Sequence, residues 1–350
     1  MQEKTKLYST ESRSWILFIL AFFTLLFFCL DVLLGSVQIP FKAILQIIGG
    51  KELSHPEWRV IIFDFRVPRA ITAIIAGIAL SVSGLQMQTI FRNPLAGPYV
   101  LGISSGASLG VALLIMGFSA FGISGFGHFG NWALVFAATF GAGLILLLIL
   151  SISVRINDIM TILILGILFG SIATALVAIL QYFSSETMLK SFIVWTMGSL
   201  GNVSHDQLGI LALVVSIGIL ICLASVKVLN TMLLGEEYAH SLGVNAKVAR
   251  TVVFISTSIL AGAVTAFCGP IGFIGIVVPH ISRLLFKTAD HKVLIPGSML
   301  IGAIFILISD IISKLPGYDQ VLPINSVTAL LGIPVIIWII FKRKKITSLA

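Results

Sequence analysis

Charged side chains are scarce in this chain. Of its 350 residues only 10% are Asp, Glu, Lys or Arg, whereas a soluble domain carries roughly a quarter. The stretch from Asn93 to Val154 has none. This composition excludes an ordinary water-soluble domain. The hydrophobic content of 58% and the mean hydropathy of +1.10 indicate that most of the chain lies in a bilayer.

Cysteines and catalytic motifs are also sparse. The three cysteines, Cys29, Cys222 and Cys268, lie far apart within apolar runs, which predicts packing residues rather than disulfides or a metal cluster. The six histidines are dispersed, and neither an HExxH motif nor a Gly-Lys-Ser/Thr phosphate-binding triplet occurs. We therefore expect no enzymatic activity, no metal site and no cofactor on this chain, so that any ATP hydrolysis belongs to a partner.

Few ionisable residues fall within the apolar runs. Outside the run 271–286, which contains His280 and Arg283, only Asp31 and Asp310 do so, and both lie near the predicted outer ends, where snorkelling or a helix cap accounts for them. An ion-coupled carrier needs a carboxylate at mid-membrane and is a remote alternative. A membrane enzyme needs a catalytic polar cluster that the sequence does not offer.

Long apolar runs are what the chain has in abundance. They are continuous rather than alternating, which predicts helices instead of a barrel, and a span needs about 20 residues. The sequence thus predicts an all-α polytopic membrane protein with about ten transmembrane helices, the eighth of them short or broken. The predicted spans are 15–35, 70–91, 99–117, 131–153, 159–183, 207–226, 251–268, 271–286, 293–313 and 321–341.

The basic residues predict the orientation, because Lys and Arg are retained on the cytoplasmic side. With the N-terminus inside, 15 of the 22 Lys and Arg fall on inner segments and 7 on outer ones, so both termini are expected in the cytoplasm. Most of the seven outer Lys and Arg lie in the loop 36–69, which indicates that these residues have a function other than setting the orientation.

We expect a cytoplasmic tail 1–14, one transmembrane domain 15–342 with a cytoplasmic segment 227–250, and a cytoplasmic tail 343–350. The basic end of the last span suits anionic lipid better than nucleic acid.

Three glycine-rich patches lie at the predicted membrane borders. The first, 91–110, favours close helix packing. The second, 268–283, predicts irregular backbone lined by protein, as in a gate or hinge. Its candidate residues are Gly269, Pro270, Gly272, Gly275, Pro279 and His280. A structural histidine beside Arg283 is the alternative for His280.

The third patch lies in the segment 227–250. Gly235 and Gly243 bracket about two helical turns, and the acids Glu236 and Glu237 fall in the first turn, where the helix dipole favours them. A short capped helix between two spans predicts a protein-docking element. A purely structural connector remains the alternative.

Together these patches resemble the permease subunits of the bacterial ATP-binding-cassette importers that take up iron–siderophore complexes, haem and vitamin B12. The resemblance covers about residues 60–342, and that family also has ten spans. The matching motifs include Arg66-Val-Pro-Arg69, Phe91-Arg-Asn-Pro-Leu-Ala-Gly97, Gly235-Glu-Glu-x-Ala239 with Leu242-Gly243, and Gly269-Pro-Ile-Gly-Phe-Ile-Gly275.

The resemblance implies a transport subunit in the bacterial plasma (inner) membrane. Its expected partners are a second copy of itself, two cytoplasmic subunits that bind ATP and Mg, and an extracytoplasmic substrate-binding protein. The expected cargo is an iron–siderophore complex, with haem second and cobalamin third, moved by alternating access.

The resemblance also implies roles for particular residues. The ATPase-coupling element comprises Gly235, Glu236, Glu237, Ala239, Leu242 and Gly243. Arg66, Arg69 and Lys314 are expected to dock the binding protein, although interfacial anchoring is an alternative for the two arginines. The path is expected along the fifth and tenth spans, at Gly166, Gly170, Ser171, Thr174, Asn325, Ser326 and Thr328.

Overall fold

The computed structural model describes residues 10–35, 37, 39–40, 43, 56–117, 130–156, 158–314 and 320–347. Every regular element in these ranges is a helix. The helices are α1 (Thr10–Leu33), α2 (Glu57–Ile90), α3 (Ile103–Gly117), α4 (Gly130–Ser153), α5 (Ile159–Tyr182), α6 (Glu186–Thr196), α7 (His205–Ala224), α8 (Val226–Met232), α9 (Glu236–Ser241), α10 (Ala246–Cys268), α11 (Ile274–Phe286), α12 (His291–Ser313) and α13 (Ile324–Thr347).

Seven helices in the described part of the chain are long and apolar enough to cross a membrane, namely α1, α2, α4, α5, α7, α10 and α12. Shorter apolar helices are α3, α11 and the stretch Ile324–Ile339 of α13. The predicted all-helical class is confirmed. Ten crossings, the cytoplasmic termini and the division into two tails and one domain stay predictions.

Helix α2 lies at the centre of the bundle, packed against α10, α11 and α12. Its residues from Ala79 to Ile90 are all buried. A Cβ added to Gly84 would lie 1.9 Å from the Gly275 carbonyl oxygen of α11, and one added to Gly77 would lie 2.3 Å from that of Gly302 in α12. Glycine therefore lets the backbones touch, which is how apolar helices associate where lipid offers no hydrophobic driving force.

The charge-free stretch Asn93–Val154 contributes α3 and α4, which pack against each other through small residues. A Cβ on Gly110 would meet the Ala137 carbonyl oxygen at 2.0 Å, and one on Gly141 would meet that of Gly106 at 2.1 Å. The predicted connection at 118–129 lies outside the described residues.

Two features differ from the expectations. Asp31 and Asp310 neither snorkel nor cap a helix, because both are fully buried and each forms an ion pair with Lys314. The amphipathic helix α6 was not predicted, because it is too short and too polar to register as a span.

Candidate coupling helix, charge cluster and groove

The two glycines that flank α9 fix its ends. Gly235 precedes it with φ of 108°, a conformation open to glycine alone among the common residues. At the other end Gly243 has φ of 82°, and its N–H donates to the His240 carbonyl at 2.9 Å. The Val244 N–H donates to the Ala239 carbonyl, also at 2.9 Å. This pair of bonds is a Schellman motif, which ends the helix after two turns.

One face of α9 is attached to the bundle. Ala239 is buried, and the Glu236 carboxylate lies 3.4 Å from the guanidinium of Arg250, whose own side chain is buried in α10. The sequence predicts one role for Glu236 and Glu237, yet the structure separates them. Glu236 faces inward to Arg250, whereas Glu237 is exposed.

The opposite face of α9 exposes an apolar stripe. Leu234, Tyr238 and Leu242 are 61%, 58% and 59% exposed. Tyr238 lies within the helix and Leu242 at its C-cap, so these two share a helix face, while Leu234 precedes Gly235 and the helix. Two grooves of about 800 and 700 Å³ flank the helix. Exposed apolar side chains grouped in this way are typical of protein–protein or membrane contact surfaces. The four-residue spacing of the stripe is visible in the sequence and is the signal that could have identified it.

The three cations predicted to dock the binding protein lie within one buried region. Arg69 forms a bidentate pair with Asp310, with Nε to Oδ2 at 3.0 Å and Nη2 to Oδ1 at 2.7 Å. The ammonium of Lys314 lies 2.8 Å from Asp31 Oδ1 and 3.0 Å from Asp310 Oδ2. Arg66 donates to the carbonyls of Val32 and Leu33 at the end of α1.

This charge cluster (Asp31, Arg69, Asp310 and Lys314) balances internally at two negative and two positive charges. Arg66 and Lys314 are both buried, and the side chain of Arg69 is 19% exposed. The contacts of Arg66 and Lys314 therefore serve the fold, which sequence reasoning did not anticipate. The docking role stays a prediction, and Arg69 is the member that a partner can reach most easily.

Four of the predicted path residues line one open groove of about 540 Å³ along α5, namely Gly166, Gly170, Ser171 and Thr174. The hydroxyls of Ser171 and Thr174 donate to backbone carbonyls of their own helix at 2.9 Å. The groove thus presents small and weakly polar surface.

The three path residues predicted at the start of α13 lie elsewhere. Asn325 accepts a hydrogen bond from the Gly272 N–H at 2.9 Å, so it holds the glycine-rich loop rather than lining the groove. Thr328 is buried and donates to the Asn325 carbonyl at 3.0 Å, while Ser326 is exposed.

Three of the six predicted gate residues, Gly269, Pro270 and Gly272, lie in the irregular backbone between α10 and α11. Gly269 has φ of 74°, and a Cβ there would lie 2.6 Å from the Trp195 carbonyl of α6. Phe273 also adopts a positive φ of 69°, an uncommon state for a bulky residue and one that the sequence does not reveal. Tyr99 donates to the Ile271 carbonyl. The loop is therefore tied to neighbours on several sides.

The remaining gate residues belong to α11. Gly275 touches α2 at Gly84, Pro279 lies inside the helix, and His280 Nε2 lies 2.9 Å from the Pro94 carbonyl oxygen. His280 is buried, which agrees with a structural histidine. Pro270 is half-buried in the loop. A gating role for the six stays a prediction.

An apolar helical bundle with a short capped helix at its surface and a groove of small residues is typical of one class, the polytopic membrane transport subunit. The chain belongs to the FecCD transport family, which matches residues 23–342. It is 36% identical over 316 residues to the vitamin B12 import system permease protein BtuC of Salmonella typhi, covering 89% of this chain and 94% of that protein. The BtuC of an Escherichia coli strain is also 36% identical, over 315 residues, covering 90% of this chain and 94% of that protein.

A solved structure supports the same family assignment. The chain of a metal-chelate type ABC transporter in an inward-facing conformation has a TM-score of 0.81 and 30% sequence identity, with 94% of this chain and 99% of that chain covered. The protein is therefore an importer permease of the FecCD and BtuC kind. A permease subunit of this family is a transport component and not itself an enzyme.

Proposed function

We propose that this chain forms the membrane path of an ATP-driven importer for a bulky metal chelate in the bacterial inner membrane. The groove of small residues on α5 supports this proposal, because such a wall binds no cargo tightly and suits a transient passage. Two copies of the chain would enclose the path, with both termini in the cytoplasm and ten crossings in each copy. Alternating access would move the cargo across.

Cobalamin is the first candidate cargo, an iron–siderophore complex the second and haem the third. The BtuC relatives, matched over 94% of their length, support our choice of cobalamin ahead of the siderophore that the motifs alone favour. The solved metal-chelate type transporter supports the wider class. Uptake by the reconstituted importer of labelled cyanocobalamin, of a labelled ferric hydroxamate and of labelled haemin, each measured separately, discriminates among the three. Uptake of the hydroxamate without uptake of cyanocobalamin would move the siderophore to first place, and uptake of haemin alone would do the same for haem.

The observation that carries the importer proposal is the exposed stripe on α9. Two ATPase subunits, which bind ATP and Mg, would seat this helix in a cleft. On the opposite side of the membrane a substrate-binding protein would dock near Arg69, Arg66 and Lys314. Rim charges of this kind chiefly steer and orient a partner, which suits docking that is reversed in every cycle.

We expect Tyr238→Ser to weaken binding of the partner ATPase about tenfold or more, since a buried aromatic anchor contributes about 2 kcal/mol at such interfaces. The measurement is the affinity of the purified permease for the ATPase subunits in detergent. Tyr182→Ser is the matched control, because Tyr182 is 83% exposed at the far end of α5. Equal affinity of the two variants would remove α9 from the ATPase interface.

A further inference from the structure

A group of four polar residues, here called the α8 junction, joins the segment that carries α9 to two long helices. Asn230 lies on α8, shortly before Gly235. Asp290 and His291 stand at the start of α12, and Thr89 stands at the end of α2. The roles proposed above for the coupling helix, the path and the gate involve none of these four residues.

Hydrogen bonds fix the orientation of Asn230. Its Nδ2 donates to Asp290 Oδ1 at 2.7 Å, while its Oδ1 accepts from the backbone N–H of His291 at 2.9 Å and lies 2.7 Å from His291 Nδ1. An amide oxygen cannot donate, so His291 Nδ1 carries a hydrogen. Partial burial raises the pKa of Asp290, but hydrogen bonds from the Lys292 N–H and from Asn230 outweigh it and hold that pKa below the ordinary value.

The junction continues from His291 into α2. The Nε2 atom of His291 lies 2.8 Å from the Thr89 hydroxyl, which is itself 2.9 Å from the Leu85 carbonyl. His291 and Thr89 are both buried. A buried polar group that loses its partner costs about 1–3 kcal/mol, so these contacts hold the three helices in one relative position.

The segment α8–α9 thus has two polar attachments to long helices. Glu236 attaches α9 to α10 through Arg250, and Asn230 attaches α8 to α12 and, through His291, to α2. Leu229 and Met232 of α8 are buried against the bundle, and α8 also packs against α9, so a displacement of α9 acts on α8. Helix α2 in turn touches α11 and α12 at the backbone level.

We propose that Asn230 is a positioning residue that transmits the movement of α9 to α12 and α2 through His291 and Thr89. This inference rests on the proposed function, because a partner ATPase must move α9. Asn230 lines neither the grooves beside α9 nor the groove on α5. Its loss therefore separates hydrolysis from transport without abolishing either component.

The test uses the complete importer, with its ATPase and binding protein, reconstituted in liposomes. Asn230→Ala is compared with wild type and with Lys227→Ala, an exposed position on the same helix. ATP hydrolysis and cyanocobalamin or ferric hydroxamate uptake are measured together. We expect Asn230→Ala to raise the ATP consumed per imported molecule about tenfold, and Lys227→Ala to leave that ratio unchanged. A ratio unchanged in Asn230→Ala, whether both rates are normal or fall in proportion, would overturn the proposal.

Thr89→Val keeps the side-chain shape and removes the hydroxyl that contacts His291 Nε2 and the Leu85 carbonyl, so it serves where Asn230→Ala does not assemble. Thr89→Val should raise the ATP consumed per imported molecule several-fold. The double variant Thr89→Val with Asn230→Ala should raise this ratio by less than the product of the two single effects, because both residues act through the imidazole of His291. A ratio equal to that of wild type in Thr89→Val would overturn the transmission route. A wild-type importer without ATP-driven uptake would instead overturn the proposed function.

Discussion

At the scale of single residues, glycine decides where the helices touch. The sequence shows many glycines but not which ones face a neighbour. The structure separates Gly84, which has no room for a Cβ against Gly275, from Gly143, which has open space around it. The same limit applies to Phe273, whose positive φ follows from the loop around it rather than from its own preference.

We expect Gly84→Ala to destabilise the protein by about 2–3 kcal/mol, because the added methyl forces α2 away from α11 and overpacking costs that much. The measurement is the unfolding midpoint in detergent. Gly143→Ala is the control and should show no loss, since alanine favours the helix and meets no neighbour. Equal midpoints for the two variants would contradict the contact between α2 and α11.

At the scale of elements, the apolar runs predicted the helices well because hydrophobic length is a local property of the sequence. Pairings between distant elements were not predictable, because the partners share no local signal. Asp31 and Lys314 are 283 residues apart, yet they form one ion pair. Among the described side chains of α1, Asp31 alone is buried, so this pair and the hydrogen bonds from Arg66 to the Val32 and Leu33 carbonyls attach the end of α1 to the bundle.

The charge cluster predicts a specific pattern of stability in variants of Asp31 and Lys314. Lys314→Met should cost about 3–5 kcal/mol, because it leaves the buried Asp31 carboxylate uncompensated. The double variant Asp31→Asn with Lys314→Met should recover part of that loss, since Arg69 and Asp310 still neutralise each other. The readout is the yield and thermal midpoint of the purified protein. A double variant that loses the sum of the two single effects would show that the charges act independently.

At the scale of the whole molecule, α2 and α12 connect the two ends of the structure. Each carries a member of the charge cluster near one end, Arg69 and Asp310, and a member of the α8 junction at the other, Thr89 and His291. The motifs predicted the short helix between Gly235 and Gly243 and the small residues that line the groove on α5. The connection between the two ends depends on tertiary packing, and no single segment of the sequence encodes it.

The central claim is that this chain is the membrane path of an ATP-driven importer. The most direct test is uptake of labelled cyanocobalamin and of a ferric hydroxamate by sealed liposomes that hold the permease, its ATPase and its binding protein. The account predicts that uptake of one of these probes requires ATP hydrolysis and the binding protein, and that it is indifferent to a proton gradient. Uptake that persists without ATP and follows the proton gradient would contradict the account and favour an ion-coupled carrier.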